Sequence, residues 1–61
     1  MISPIQIKAA RAILDWNQDR LSEVAGVAKR TIVSIEQGNV AARIDTLNAI
    51  QDALELHGIE F

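Results

Sequence analysis

The helical pattern of this chain breaks at Gly26 and resumes two residues later, and that short interruption constrains the fold more than anything else in the sequence. The stretch NQDRLSEVAGVAKRTIVSIEQG, residues 17–38, carries apolar residues at helical spacing on both sides of Ala25-Gly26-Val27. Only glycine takes the left-handed backbone conformation that ends a helix at little cost. A link this short forces the two helices to cross steeply, at about 90–120°. Their contact positions must then be small or branched. Ser22 and Ala25 before the break, and Val27, Ile32 and Ile35 after it, meet that need. The helix after the break is left to present Lys29, Arg30, Val33 and Ser34 on an outer face.

The other elements follow the same punctuation. Ser3-Pro4-Ile5-Gln6 reads as a helix start, with Ser as N-cap, Pro at the first helical position and Gln bonding back. Ile7, Ala10, Arg11 and Leu14 then form one stripe, so Arg11 is a charge on an apolar face and needs a partner. Asn17 is a good N-cap for a second helix, and Asp19 in its first turn suits the helix dipole. Leu21, Val24 and Ala25 supply its inner side, and Ile32 and Ile35 that of the third. A fourth helix turns Leu47, Ile50, Ala53 and Leu54 inward. The pattern predicts helices over about 4–14, 18–25, 28–37 and 44–57, and Gly26, Gly38 and Gly58 each follow one. No alternating strand pattern stands out, although Ile59-Glu60-Phe61 could form a short extended tail. The expectation is one all-α domain spanning residues 1–61, a compact bundle of four to five helices.

The chain has 61 residues and no cysteine, so neither a disulfide nor a thiolate metal site helps a core of marginal size. Leu, Ile, Ala and Val do the filling; the aromatics are Trp16 and Phe61. No apolar run approaches a membrane span of roughly 18 residues. The first residues lack the basic-then-apolar order of a signal peptide. The formal net charge of −2 argues by itself against a nucleic-acid partner, but the charge is unevenly placed. Residues 1–44 hold all six basic residues against four acids, while residues 45–61 hold four acids and no base. One mildly positive face is compatible with a negative total.

A helix with a basic, polar outer edge fits the DNA major groove. The residues Asn17-Gln18, Leu21, Ala25-Gly26-Val27, Lys29-Arg30-Thr31-Ile32 and Ile35-Glu36-Gln37-Gly38 closely resemble the helix-turn-helix of the Cro/C1-repressor (XRE) family. That family's pattern reads roughly "sQeeLAeraGvsrstIsriEnG". The resemblance extends over residues 5–58, with Thr46-Leu47, Ile50 and Ala53-Leu54 matching the helix after the motif. The ending Gly58-Ile59-Glu60-Phe61 is similar to the "GVEF" tail of many short bacterial regulators. The resemblance implies a lambda-repressor-like domain in which Lys29, Arg30, Val33 and Ser34 reach base edges. It implies phosphate contacts from Asn17, Gln18, Thr31, Asn39 and Arg43, and a structural ion pair between Arg11 and Glu36.

There are departures from the family pattern. Ala28 stands where Ser or Thr normally caps the recognition helix, weakening that cap by about 1 kcal/mol. Ser22 replaces a usual alanine, and its hydroxyl is expected to bond back to its own helix. The loop Asn39-Val40-Ala41-Ala42-Arg43 lacks the usual prolines and most of the usual bases, so phosphate contacts should be few.

Trp16 reads as a core plate over the first two helices, and His57 lies in a last helical turn, where a cation suits the dipole. No metal-ligand spacing, phosphate loop or catalytic constellation appears, so neither enzymatic activity nor a cofactor is expected. The implied function is sequence-specific duplex DNA binding by a transcriptional regulator, most often a repressor in this family, acting in the cytoplasm of a bacterium or phage host at the nucleoid. Pairing of two copies on a palindromic operator is expected, with half-sites about one DNA turn apart. Met1, Ile2, Ile5, Val40, Ile59 and Phe61 have no clear place in the core and are candidates for the dimer contact, one option being edge pairing of Ile59–Phe61. The competing reading is an antitoxin-like or protein-interaction module that keeps the fold and docks a protein partner through its acidic last helix. The chain could equally be part of a longer protein.

Overall fold

The computed structural model describes residues 2–38 and 43–61. Among these residues the architecture is all-helical, with four helices: α1 (Pro4–Leu14), α2 (Gln18–Ala25), α3 (Lys29–Glu36) and α4 (Ile44–Leu56). No helix among them is long and apolar enough to cross a membrane.

The local chemistry sets the element ends. Ser3 and Gln6 form a reciprocal capping box at the start of α1: the Gln6 amide N–H donates to Ser3 Oγ at 3.2 Å, and the Ser3 N–H to Gln6 Oε1 at 2.8 Å. Asp15 ends α1 in the left-handed region at φ 57°. The chain then folds back, with the Trp16 N–H donating to the Arg11 carbonyl at 2.9 Å. Asn17 caps α2 by accepting from the Arg20 N–H at 2.8 Å. Ala28, at φ −57° and ψ 139°, is the N-cap of α3 and makes no side-chain capping bond.

Every helix contributes to one core. Ile7 of α1, Leu21 of α2, Ile32 of α3 and Ile50 and Leu54 of α4 are completely excluded from solvent. Leu14, Trp16, Ala25 and Val27 pack at its margin. Trp16 is half-buried, with the His57 ring edge-on at 4.8 Å and the Arg20 guanidinium 5.7 Å from its centroid. It therefore joins the α1–α2 turn to the end of α4, in addition to covering the first two helices.

Two apolar residues assigned no place in the core turn out to belong to it. Ile2 is buried within the main cluster, and Ile59 packs against it. Both follow from helix-end geometry. Ile2 precedes the N-cap and Ile7 is the fourth residue of α1, the two positions that form a hydrophobic staple. Beyond α4, the Ile59 N–H donates to the Leu54 carbonyl at 3.1 Å, which turns Ile59 back onto the bundle. Ile5 and Phe61 remain exposed, whereas Met1 and Val40 lie outside the described residues.

Candidate nucleic-acid interface

The corner between α2 and α3 is closed by three hydrogen bonds that converge on Ser22 and Val27. The Gly26 and Val27 N–H groups both donate to the Ser22 carbonyl, at 3.0 and 3.3 Å. The Ser22 hydroxyl donates across the turn to the Val27 carbonyl at 2.6 Å. The sequence reading had this hydroxyl bonding back to its own helix. The Val27 carbonyl wins instead because Gly26, at φ 68°, folds it directly over Ser22, where it has no helical partner.

A second arrangement fixes α3 against the rest of the bundle. Glu36, at the end of α3, is 4% exposed. Its carboxylate accepts two bonds from Arg11 of α1, from Nε at 2.7 Å and from Nη2 at 2.8 Å. Arg11 Nη1 also donates to the Trp16 carbonyl at 3.1 Å. Gln18 Nε2 donates to Glu36 Oε1 at 3.1 Å. One buried carboxylate thus ties α1, the start of α2 and the end of α3 together. The polar side chain that opens α2 is held by this network, and no buried side-chain N or O among the described residues lacks a partner.

The residues named from the sequence fall as follows. Lys29 and Arg30 are exposed at the first turn of α3, and Val33 and Ser34 are half-buried one turn on. By helical spacing the four share one face, opposite the buried Ile32 and Ile35. Thr31 is half-buried, with its backbone N–H donating to the Ala28 carbonyl at 3.0 Å. At the adjoining end of α2, Asn17 is exposed and Gln18 half-buried. Arg43 is exposed at the start of α4, with Nε 3.4 Å from Asp45 Oδ1. Asn39 lies outside the described residues.

Sequence reasoning missed one residue of this surface. Lys29 Nζ lies 3.1 Å from Asp19 Oδ1, with both side chains more than half exposed. Asp19 was read only as a first-turn acid suiting the helix dipole. Ten positions and a chain reversal separate it from Lys29, so no local pattern could pair them. No carboxylate pairs with Arg30 among the described residues.

An α-helix with its side chains is about 10–12 Å across, and the major groove is about 12 Å wide. A short helix with a basic first turn, joined to the helix before it through a glycine corner, is the arrangement of helix-turn-helix DNA-binding domains. The Cro/C1-type helix-turn-helix family model matches residues 7–61, and the chain belongs to that DNA-binding regulator family. No curated protein shows a significant match to it.

The uncapped start of α3 offers a direct test of the local energetics. Ala28→Ser supplies a hydroxyl to the exposed first-turn N–H groups. It should raise stability by about 1 kcal/mol, which moves the thermal midpoint up by roughly 4–8 °C for a domain of this size. A thermal melt followed by circular dichroism reads it, and an unchanged or lower midpoint would show that the cap site is already satisfied.

Proposed function

We propose that the domain binds duplex DNA in a sequence-specific manner and acts as a transcriptional regulator, a repressor, with α3 lying in the major groove. The observation that carries this reading is the shared outer face of Lys29, Arg30, Val33 and Ser34 beside the open N-terminal turn of α2. Arg30 is suited to the O6 and N7 of guanine, and Val33 to a thymine methyl. The α2 start offers backbone N–H groups to a phosphate, while Asn17, Gln18, Thr31 and Arg43 border the same docking face. Gln18 would act there as a residue positioned by Glu36.

A domain this small gains contacts by pairing two copies on a palindromic site. Ile5, Ile13, Ile44, Leu56 and Phe61 are exposed apolar residues from which the pairing surface would be drawn. A second reading rests on α4. There Asp45, Asp52 and Glu55 are exposed and Leu56 is 82% exposed, a surface suited to a basic-apolar protein partner.

Selection of bound sequences from a random duplex pool, followed by anisotropy titration, tests the DNA reading. Arg30→Ala should cost about 1–3 kcal/mol on the selected site and relax the preference at one base pair. Lys29→Ala should weaken binding less, because Asp19 already compensates part of that charge. Absence of binding near 20 mM salt, or full affinity in the Lys29→Ala/Arg30→Ala double variant, would turn the assignment toward the protein-interaction module.

A further inference from the structure

We infer that Asp19 is an intramolecular competitor of DNA for the Lys29 ammonium, and that it sets how tightly the domain holds any duplex. The inference deepens the DNA-binding reading and rests on it. Lys29 Nζ lies 3.1 Å from Asp19 Oδ1 across the α2–α3 corner. The two side chains are 55% and 63% exposed, so the pair sits on the surface the duplex would approach and is open to exchange.

Asp19 occupies the first turn of α2, whose N-cap Asn17 accepts the Arg20 N–H. The N–H groups ahead of Arg20 are the ones a phosphate would use. A carboxylate in the same turn holds the Lys29 ammonium next to the place where that phosphate would sit. Lys29 cannot give its full charge to DNA without leaving Asp19 uncompensated beside the backbone. Arg20 does not relieve this: its guanidinium lies over the Trp16 ring and 3.8 Å from Glu23.

The predicted consequence is sequence-independent. Asp19→Asn removes the competitor without changing side-chain size. Near 50 mM salt it should tighten binding to every duplex about fivefold, the scale of one unit-charge interaction at about 4 Å in water. The slope of log K against log salt should steepen by about one, as one more cation becomes available to phosphate. Asp19→Glu keeps the charge and should stay near the parent.

The experiment is an anisotropy titration of a labelled random-sequence duplex at several salt concentrations, using the parent, Asp19→Asn, Lys29→Ala and the Asp19→Asn/Lys29→Ala double variant. Circular dichroism confirms that each is folded. A fivefold gain in Asp19→Asn that shrinks to less than twofold in the Lys29→Ala background supports competition through Lys29. A parent that binds with Asp19→Asn unchanged overturns the inference and leaves the DNA reading standing. An equal gain with and without Lys29 also overturns it, since Asp19 would then act by direct repulsion of phosphate. A parent that binds no duplex at any salt removes both.

Discussion

Glu36→Ala should leave most of the population unfolded at room temperature. Glu36 sits at the junction of three helices with its side chain 3% exposed, and it accepts two bonds from Arg11 and one from Gln18. Removing it strands a guanidinium that is itself only 19% exposed. Loss of one member of a buried pair costs about 3–5 kcal/mol, because the remaining charge must be desolvated without compensation. A domain under about 70 residues with no disulfide draws only about 3–5 kcal/mol from its core. The two quantities are of the same size, so the folded state loses its margin. Far-ultraviolet circular dichroism and urea titration measure the effect. A variant that still melts within a few degrees of the parent would show that the network orients α3 without holding the bundle together. The charge pair need not be the most stable solution for this site. Arg11→Met/Glu36→Leu, which removes both charges and keeps apolar volume, should recover much of the lost stability.

Ile32→Ala is the second large effect and acts through volume instead of charge. Ile32 lies in the middle of the proposed recognition helix, completely excluded from solvent. Truncation removes buried methylene and methyl groups and leaves a cavity in the core cluster, with an expected cost of about 2–5 kcal/mol. Ile32→Val, which deletes a single methyl, should cost about 0.5–1.5 kcal/mol and leave a folded protein. Urea midpoints of the two variants give the comparison. Near-equal midpoints would mean that the core relaxes into the vacated space. Ile32→Val should also keep its duplex affinity, because the outer face of α3 is untouched.

Much of the fold could be read from short-range chemistry. The capping box at Ser3, the cap at Asn17 and the glycine after α2 each act over a few residues, and the all-helical class follows from them. The Arg11–Glu36 pair bridges 25 positions. It was visible only because a charge on an apolar stripe demanded a partner and the family resemblance supplied one. What escaped was long-range or side-chain specific. The Asp19–Lys29 contact depends on how two helix starts meet across the corner. The Ser22 hydroxyl chose a carbonyl that exists as an acceptor only after Gly26 has turned the chain. Ile2 was legible in principle, since the residue before an N-cap commonly packs on the fourth helical position, but its place outside the helix made it look unassigned. The interface residues themselves rest on position and exposure, and Asn39 lies outside the described residues.

The carboxylate of Glu36 has one more consequence, for the entropy of docking. By clamping Arg11, Gln18 and the end of α3 together, it joins α1, the start of α2 and α3 in one arrangement, which on the proposed reading would meet a duplex without rearranging its backbone. The freedom lost on binding is then confined to a few long surface side chains, at about 0.5–1.5 kcal/mol for each one immobilised. A domain with so few cations can spare little binding energy for ordering itself, so on the proposed reading this network would offset a weakly charged contact surface.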